Sequence, residues 1–326
     1  MNVLVTGAAG YIGSVVAELL PAKGYNVIAL DNLKKGHRQA VIPEAHFVNA
    51  DLGDSEALGK IFARHSVEAV VHLAADSIVP ESMTDPQKYF HNNIVCGLNL
   101  LNAMVKYDVK KLVFSSSAAV YGIPETVPII EEASLIPVNA YGETKIMFEK
   151  ILKWYWHAYR LDSISLRYFN AAGATSLHGE HHEPETHLIP NVFKVVQGKA
   201  PHVSVFGNDY ETEDGTCIRD YIHVVDIADA HLQALDKIDG AGARAYNLGS
   251  EKGYSVLEVI RTVEKVTGTE IKLTFEAPRA GDPPALVASS ELAKKDLNWN
   301  PRYSKLEDIV ESAWQWQSKF PDGYAD

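Results

Sequence analysis

A tyrosine and a lysine four residues apart form the pair in this sequence best suited to acid–base chemistry. The run YGETK over residues 141–145 puts Tyr141 and Lys145 on one face of a helix. A phenol with a pKa of ~10 is a weak base at neutral pH, but a neighbouring lysine ammonium or oxidised nicotinamide ring favours the phenolate. Such a tyrosine can take a proton from a substrate hydroxyl while hydride leaves the same carbon, and we assign this role to Tyr141.

A serine run supplies a third group for this chemistry. The apolar stretch VKKLVFSSS, residues 109–117, ends in Ser115, Ser116 and Ser117. The ends of parallel strands are where open α/β sheets bind ligands, so Ser117 is predicted to donate to the same substrate oxygen. Serines also occur in plain polar loops, and a Tyr-x-x-x-Lys pair arises by chance in many helices. The prediction therefore rests on the combination.

Three glycines spaced three residues apart follow the first apolar run. Gly7, Gly10 and Gly13 lie between a predicted strand at 2–6 and a predicted helix at 11–22. The first permits a tight turn, the second lets a pyrophosphate approach the backbone, and the third lets helix and strand pack closely. The free N–H groups of Tyr11 and its neighbours then face the anion. A tight strand–helix turn without a ligand is the alternative.

Acidic residues end the next two predicted strands. Asp31 lies 18 residues beyond Gly13, where a carboxylate accepts hydrogen bonds from ribose hydroxyls and repels a 2′-phosphate, which favours NAD over NADP. Asp51 is predicted to reach the adenine edge, although Asp-Leu-Gly-Asp also suits a turn and helix cap. The small residues at 73–75 would let the fourth strand contact the cofactor.

The elements that must position these groups follow an alternating pattern. Six apolar runs separated by helical stretches indicate parallel strands buried on both faces. The sequence thus predicts an α/β fold: a doubly wound parallel sheet of the Rossmann type at 1–170, and a second, smaller mixed α/β substrate lobe, mainly 171–326. The lobes interleave, and a strand near 223–250 is a candidate to return to the first. The predicted strands are 2–6, 25–30, 45–50, 67–75, 109–117 and 162–170, with later ones near 203–206 and 245–248. The predicted helices are 11–22, 86–106, 141–160, 189–198, 223–237, 255–267 and 304–318.

Composition narrows the class of protein. The 326 residues carry a net charge of −12, without a cluster of Lys and Arg, which argues against a nucleic-acid partner. The apolar start lacks the basic region of a signal peptide, and no apolar run reaches ~18 residues, so no membrane association is expected. Cys96 and Cys217 form no disulfide framework, although a pairing stays open. A cytoplasmic protein is the prediction.

The sequence resembles the extended short-chain dehydrogenase/reductase superfamily, and within it the nucleotide-sugar epimerases of the UDP-galactose 4-epimerase group. The N-terminal motifs mark the superfamily, whereas the 205–231 run and the RYFN segment are more specific to the epimerases. The matching segments are TGAAGYIG (6–13), HLAA (72–75), NNIVCG (92–97), FSSSAAVYG (114–122), NAYGETK (139–145), LRYFNAAGA (166–174), HLIP (187–190), VFGNDYETEDGTCIRDYIHVVDIADAH (205–231), YNLGS (246–250) and PRAGDPP (278–284).

This resemblance implies tightly held NAD and a UDP-sugar substrate. The sugar C4 is oxidised, the 4-keto sugar rotates, and it is reduced on the opposite face, which interconverts UDP-glucose and UDP-galactose. The implied catalytic residues are Tyr141, Lys145 and Ser117. The predicted cofactor-binding residues are Gly7, Gly10, Tyr11, Ile12, Gly13, Asp31, Asn32, Asp51, Leu52, Leu73, Ala74, Ala75, Asn93, Ser115, Tyr141, Lys145 and Tyr168. The implied substrate-binding residues are Ser117, Tyr141, Asn170, His187, Leu188, Val205, Phe206, Arg219, Arg279 and Asp282.

Departures from the commonest family pattern leave the sugar open. Ser77 and His187 stand where other epimerases carry Lys and Asn, and Leu286 occupies the position that gates sugar size. The alternatives are a 4-epimerase of UDP-N-acetylglucosamine, UDP-glucuronate or a UDP-pentose. A 4,6-dehydratase is disfavoured because Ala118 and Ala119 cannot transfer protons. The non-enzymatic alternative is an NAD-binding redox sensor.

Two further features bear on a metal and on a partner. Four histidines at 178, 181, 182 and 187 suggest a metal, but histidines on a polar loop are more often solvated, and we predict no metal site. Trp154, Tyr155 and Trp156 exceed what one buried helix stripe needs. With the family resemblance, they predict a homodimer formed through the helices near 86–106 and 141–160.

Overall fold

A computed structural model describes residues 1–279 and 282–325, and all statements below concern these residues. The strands are β1 (Asn2–Thr6), β2 (Asn26–Asp31), β3 (His46–Asn49), β4 (Ala69–His72), β5 (Lys111–Ser117), β6 (Asp162–Tyr168), β7 (Asn170–Ala172), β8 (Val203–Phe206), β9 (Ile218–His223), β10 (Ala243–Leu248), β11 (Gly253–Ser255), β12 (Leu273–Glu276) and β13 (Ala285–Leu286).

The α-helices alternate with the first strands and then group in the second half of the chain. They are α1 (Tyr11–Leu19), α2 (Ser55–His65), α3 (Val79–Thr84), α4 (Pro86–Phe90), α5 (Gly97–Lys106), α6 (Ala140–Tyr159), α7 (Leu188–Val196), α8 (Val224–Lys237), α9 (Val256–Thr267), α10 (Glu291–Leu297) and α11 (Leu306–Lys319). The predicted helix at 86–106 is continuous but contains a π-helical stretch at His91–Cys96. None of the described helices is long and apolar enough to cross a lipid bilayer.

The main sheet has parallel strands in the order β10-β6-β5-β4-β1-β2-β3. The inner strands β1, β2 and β4 are apolar on both faces, which agrees with the helices that cover both sides of the sheet. Helices α1 and α8 pack on one face, over a cluster that includes Val5, Val16 and Ile227. Helices α2, α5 and α6 pack on the other, over Leu4, Leu101 and Phe148. The order 3-2-1-4-5-6 is that of a dinucleotide-binding Rossmann sheet, so the predicted fold class is confirmed.

A second lobe forms beside the carboxyl ends of these strands. Strand β9 pairs with β7 and β13 in parallel and with β11 in antiparallel orientation, and β8 pairs with β12. Helices α7, α9 and α11 cover a separate apolar cluster that includes Val192, Val259 and Ile309. Between the lobes the chain crosses repeatedly, since α8 and β10 belong to the main sheet although they follow β9 in sequence.

Candidate active site

The helix that carries the Tyr-x-x-x-Lys pair begins beside the end of β5. The side chain of Asn139 caps α6, with its Oδ1 accepting from the Gly142 N–H at 2.8 Å. A Cβ on Gly142 would lie 2.4 Å from the Ala119 carbonyl oxygen, so this position needs glycine for the close approach. This contact brings Tyr141 to the loop that starts at Ser117, as predicted for an acid–base pair at a strand end.

The lysine of the pair is fully buried and points to the same strand end. The Lys145 Nζ donates to the Ser115 carbonyl oxygen at 2.7 Å and lies 5.5 Å from the centroid of the Tyr141 ring. The Tyr168 hydroxyl, at the end of β6, donates to the Ser115 Oγ. The structure therefore brings together the predicted group Ser115, Ser117, Tyr141, Lys145 and Tyr168.

The electrostatics of this group correct one expectation. Burial raises the pKa of the Tyr141 phenol, and the nearby Ser117 hydroxyl lowers it only in part. Burial also lowers the pKa of Lys145 to about 7, against the opposing effect of Glu149. In the protein alone, Lys145 thus fails to depress the pKa of Tyr141, because the desolvated site disfavours both charged forms. The second cation of the prediction, an oxidised nicotinamide ring, would favour the phenolate when a cofactor is bound.

The glycine turn has the geometry of an anion cradle. Gly7 adopts a φ of +73°, and a Cβ there would lie 2.7 Å from the Ala74 nitrogen. A Cβ on Gly13 would lie 2.0 Å from the Gly7 carbonyl oxygen. At Gly10 a Cβ would meet only that same oxygen, at 3.4 Å, so a side chain there would occupy the space in front of the helix where an anion would bind.

Helix α1 starts without a side-chain cap. The first helical N–H with a described acceptor is that of Ser14, which donates to the Gly10 carbonyl oxygen at 2.9 Å. The preceding N–H groups, of Tyr11, Ile12 and Gly13, thus face outward from the positive end of the helix. A pyrophosphate fits this arrangement.

The first acidic residue is fixed directly under the glycine turn. The Asp31 Oδ2 accepts from the Ala9 N–H at 3.0 Å, and its Oδ1 accepts from the Leu33 N–H at 2.8 Å. Burial raises the pKa of Asp31, while these backbone donors oppose the shift. Its position at the end of β2 agrees with the predicted ribose contact, which stays a prediction.

The second acidic residue anchors the loop after β3. The Asp51 Oδ2 accepts from the Asn32 Nδ2 and the Lys34 Nζ, both at 2.9 Å, and its Oδ1 accepts from the Gly53 N–H at 2.8 Å. These donors lower the pKa of Asp51 to about 2. Leu52 is buried next to it. Asp51 therefore also organises the protein at the proposed adenine end.

Asn93 connects the end of β4 to the catalytic helix. It lies in the π-helical stretch, and its Oδ1 accepts from the Asp76 N–H at 2.9 Å. Its Nδ2 donates to the Asp76 carbonyl and to the Thr144 Oγ1, both at 3.0 Å. These bonds position the segment after Leu73, Ala74 and Ala75 relative to α6. Direct contact of Asn93 with the cofactor stays a prediction.

The second predicted set forms in the smaller lobe. The Arg219 guanidinium donates to Asp282 Oδ1 at 2.6 Å and to the carbonyl oxygens of Ile218 and Pro283 at 2.8 and 2.9 Å. The Arg279 Cζ lies 4.1 Å from the centroid of the Phe206 ring, on the strand that also carries the buried Val205. The PRAGDPP segment continues through residues 280–281, which lie outside the described residues.

Leu286, the predicted sugar-gating residue, lies between the two sets. Leu286 pairs with Arg219 through strands β13 and β9. It also packs on the apolar cluster that contains Ala118 and Phe169, next to Ser117 and Asn170 respectively. Asn170 starts β7, which pairs with β9 at Tyr221. Ser77, by contrast, is exposed on the loop after β4.

The histidine-rich loop is packed against the rest of the protein, whereas the sequence indicated solvated histidines. His178 is 3% exposed, and its Nδ1 lies 2.7 Å from Glu18 on α1. His187 immediately precedes α7, which starts at Leu188, and its Nδ1 lies 2.9 Å from Glu185. The interpretation of these histidines as solvated is wrong for His178, because the loop folds back onto α1 and buries it.

We did not predict from the sequence a buried polar network that lies next to Lys145. The Glu149 carboxylate accepts from the Ser116 hydroxyl at 2.6 Å and from the Arg167 Nε and Nη2 at 2.9 and 2.6 Å. Arg167 also donates to the Tyr121 hydroxyl, which donates to Asn247. One signal was present, since Glu149 lies four residues beyond Lys145 on the same helix face.

Comparisons with known proteins agree with this geometry. The family model described as "NAD dependent epimerase/dehydratase family" matches residues 3–249. The UDP-glucose 4-epimerase of Lacticaseibacillus casei is 48% identical over 329 residues, covering 100% of this chain and 99% of that protein.

Two solved structures superpose over nearly the full length. The UDP-glucose 4-epimerase of Brucella ovis in complex with NAD matches with a TM-score of 0.93 and 43% identity, over 97% of this chain and 98% of that one. The enzyme of Bifidobacterium longum in complex with NAD+ and UDP matches with a TM-score of 0.95 and 39% identity, over 99% and 100%. This chain belongs to the NAD-dependent epimerase/dehydratase family.

Proposed function

We propose that this protein is an isomerase that interconverts UDP-glucose and UDP-galactose, with NAD as its resident cofactor. The observation that carries the proposal is the convergence of Ser117, Tyr141 and Lys145 at the carboxyl end of β5. Full-length similarity to several UDP-glucose 4-epimerases at 44–48% identity supports the same reaction.

The protein supplies a binding site for NAD from β1, β2 and β4. The N–H groups at the start of α1 would hold the pyrophosphate, and Asp31 would accept from the adenosine ribose. NAD held there would supply the acceptor for a hydride from the sugar carbon and the donor that returns it. The main sheet is therefore proposed to bind the cofactor, and the smaller lobe the UDP-sugar.

Proton transfer is assigned to Tyr141. The phenolate form would take the proton from the C4 hydroxyl and return it after the sugar has turned. Lys145, held by the Ser115 carbonyl, would favour that form once a second positive charge is present, and the Ser117 hydroxyl would donate to the C4 oxygen. Ser115 would hold Lys145 through its carbonyl oxygen and Tyr168 through its hydroxyl.

Rotation of the keto sugar within the site requires that another part of the substrate stays anchored. Arg219 and Arg279 are proposed to hold the diphosphate, since guanidinium groups bind phosphate oxygens in a bidentate manner. Asp282 would accept from the uridine ribose, and Phe206 would contact the uracil. With the nucleotide anchored there, the sugar can present either face to Tyr141.

We also propose that the enzyme accepts UDP-sugars other than UDP-glucose and UDP-galactose. Leucine is intermediate between the large aromatic and the small residue that the gating position carries in other epimerases, and Leu286 borders the cluster around Ala118. Activity on UDP-N-acetylglucosamine is the second candidate.

The test uses purified protein without added cofactor. It is incubated separately with UDP-galactose, UDP-N-acetylgalactosamine, UDP-glucuronate and UDP-xylose, and the nucleotide sugars are separated by chromatography. The proposal expects UDP-glucose from UDP-galactose, and none with Tyr141→Phe. Unaltered UDP-galactose in the presence of bound NAD would contradict it.

A homodimer and a cytoplasmic location complete the proposal. Trp154 is 73% exposed on α6, and Val95 and Tyr159 are also exposed. We assign these exposed apolar side chains to contacts with a second copy of the chain, and light scattering at micromolar protein should give twice the monomer mass. Both cysteines are buried and free, which suits a reducing compartment.

A further inference from the structure

The loop before α7 gathers four side chains with metal-binding donors. In the part of the chain that the structure describes, Glu180, His182, Glu185 and His187 each place one donor atom within 4.8 Å of the other three. The two carboxylates are the buried members, with side chains 9% and 4% exposed. The loop thus concentrates two negative charges in a desolvated place, which requires compensating positive charge.

The distances suit a small tetrahedral ion. Zinc binds His nitrogen and carboxylate oxygen at ~2.0–2.2 Å, so neighbouring ligand atoms in a tetrahedral site are roughly 3.3 Å apart. The His187 Nδ1 lies 2.7 Å from Glu180 and 2.9 Å from Glu185. The His182 Nδ1 lies 3.3 Å from Glu180 and 3.6 Å from Glu185. These four distances bracket the expected spacing.

Hydrogen bonding within the loop does not satisfy all donors. Both histidines turn the same atom, Nδ1, toward the same two carboxylates, and an Nδ1 carries at most one proton. The His182 Nδ1 is buried without a hydrogen-bond partner of acceptable geometry. An ion at the centre of the four atoms would use all of them, and its double positive charge would neutralise both carboxylates.

We propose that Glu180, His182, Glu185 and His187 bind a divalent transition-metal ion, and that Zn²⁺ matches the donor set best. Two imidazoles and two carboxylates are borderline and hard donors, which Zn²⁺ accepts in fourfold coordination. Four protein ligands close the site, so its role is structural. The site fixes the start of α7 at Leu188 near α1, where the His182 ring meets the Tyr11 ring edge-on with 6.2 Å between centroids.

This inference does not depend on the proposed reaction, and its test measures metal rather than turnover. Wild-type protein is stripped with a chelator, exchanged into metal-free buffer and equilibrated with Zn²⁺, and bound metal is counted by mass spectrometry. About one Zn²⁺ per chain is expected. Co²⁺ serves as a second probe, because a tetrahedral site gives visible absorption bands that are far more intense than the weak bands of octahedral Co²⁺.

Matched variants locate the ion. Glu180→Gln and His182→Gln each remove one ligand with little change in size and should lose the stoichiometric Zn²⁺ and the Co²⁺ bands. His181→Gln, beside the site, should keep both, although His181 stacks on His37. Retention of Zn²⁺ by Glu180→Gln, or its loss in His181→Gln alone, would overturn the assignment.

A measurement on wild-type protein covers variants that fail to fold. The chelated protein should melt at a lower temperature than the untreated protein, and Zn²⁺ should restore the melting temperature whereas Mg²⁺ should not. If chelated protein binds no Zn²⁺ and its melting temperature is unchanged, the four side chains form an ion-pair cluster of protonated histidines and carboxylates, and the proposal is wrong.

Discussion

The guanidinium of Arg279 lies over Phe206, with its Cζ 4.1 Å from the ring centroid. The contact orients a positive group beside the strand proposed to receive the uracil, whereas Arg219 is held in place by Asp282. Arg279 is therefore the less constrained of the two arginines in the proposed diphosphate site.

Replacing Arg279 should weaken nucleotide binding selectively. Hydrogen bonds to a charged partner contribute ~1.5–3 kcal/mol, so Arg279→Ala should raise the Kd for UDP roughly 10- to 100-fold. Calorimetry on the NAD-containing protein measures this, and the NAD content should be unchanged. Arg244→Ala, at an exposed position of β10, is the control. Equal UDP affinity in both variants would remove Arg279 from the site.

Removal of the Tyr141 hydroxyl should separate the proposed chemistry from cofactor binding. General acid–base groups contribute ~10²–10⁴-fold to rate, so Tyr141→Phe should lower epimerisation at least 100-fold while NAD stays bound. Tyr159→Phe, at the exposed end of the same helix, should behave like wild type. The assay follows UDP-glucose formed from UDP-galactose, and bound NAD is quantified after denaturation. Near-normal turnover in Tyr141→Phe refutes the base assignment.

A larger side chain in place of Leu286 should change the sugar preference. Leu286→Tyr should reduce activity on UDP-N-acetylglucosamine relative to UDP-glucose by roughly tenfold, because a larger side chain competes with the N-acetyl group for space. Leu286→Met, of similar volume, should leave the ratio near the wild-type value. The ratio of kcat/KM values for the two sugars is the measurement. An unchanged ratio in the tyrosine variant argues against a gate at this residue.

Buried neutral histidines predict a loss of stability in mild acid. Burial lowers the pKa of His72 to about 3, and Lys145 adds to the shift. Burial lowers the pKa values of His223 and His231 to about 4. Between the unfolded pKa near 6.5 and these values, the unfolded chain binds more protons. Each histidine should therefore remove about 1.4 kcal/mol of unfolding free energy per pH unit as pH falls through that window.

Urea unfolding at several pH values between 4.5 and 7 checks this slope. His72→Asn keeps a hydrogen-bonding group near Thr6, whose Oγ1 lies 2.8 Å from the imidazole. Its slope should be shallower than that of wild type by about 1.4 kcal/mol per pH unit. Parallel slopes would mean that His72 does not titrate differently in the folded and unfolded chains.

The Glu149–Arg167 pair predicts strong coupling in a double-mutant cycle. Breaking a buried ion pair by removing one partner costs ~3–5 kcal/mol because the other charge stays buried and uncompensated. Glu149→Ala should therefore lower the unfolding free energy by that amount. The double variant Glu149→Ala/Arg167→Met should cost less than the two single changes added together. Additive losses would indicate that Arg167 finds other partners, such as Tyr121.

Much of the main sheet was predictable because strands such as β1, β2 and β4 are apolar runs that begin or end in a polar residue, whereas β6 (DSISLRY) and β10 (ARAYNL) carry polar residues along their length. The core of β4, AVVH at Ala69–His72, and the apolar part of β5 need no tertiary information to be recognised. The glycine turn was predictable because the contacts that require glycine lie within one short segment, such as the contact between Gly13 and Gly7.

The strands of the second lobe were harder to predict because they carry buried polar residues. Strand β9 has the sequence IRDYIH, in which Arg219 and Asp220 are buried. Because charged residues interrupt its apolar residues, such a strand lacks a recognisable apolar run. Its charged side chains are buried with hydrogen-bond partners that lie far away in sequence. Asp220, for example, accepts from Ser250 and from the Ala288 N–H. The Glu149–Arg167 pair was missed for the same reason, since a helix and a strand must meet before the two charges compensate each other.

The late return of β10 to the main sheet affects how the chain can be made. Residue 248 has to emerge from the ribosome before β10 can pair with the edge strand β6. Helix α8 has to emerge before it can cover the apolar face of α1. A polypeptide that stops near residue 170 would therefore present an open β6 edge and an apolar helix surface to the solvent. We expect such a fragment to aggregate, and the nascent protein to depend on chaperones until its last third is synthesised.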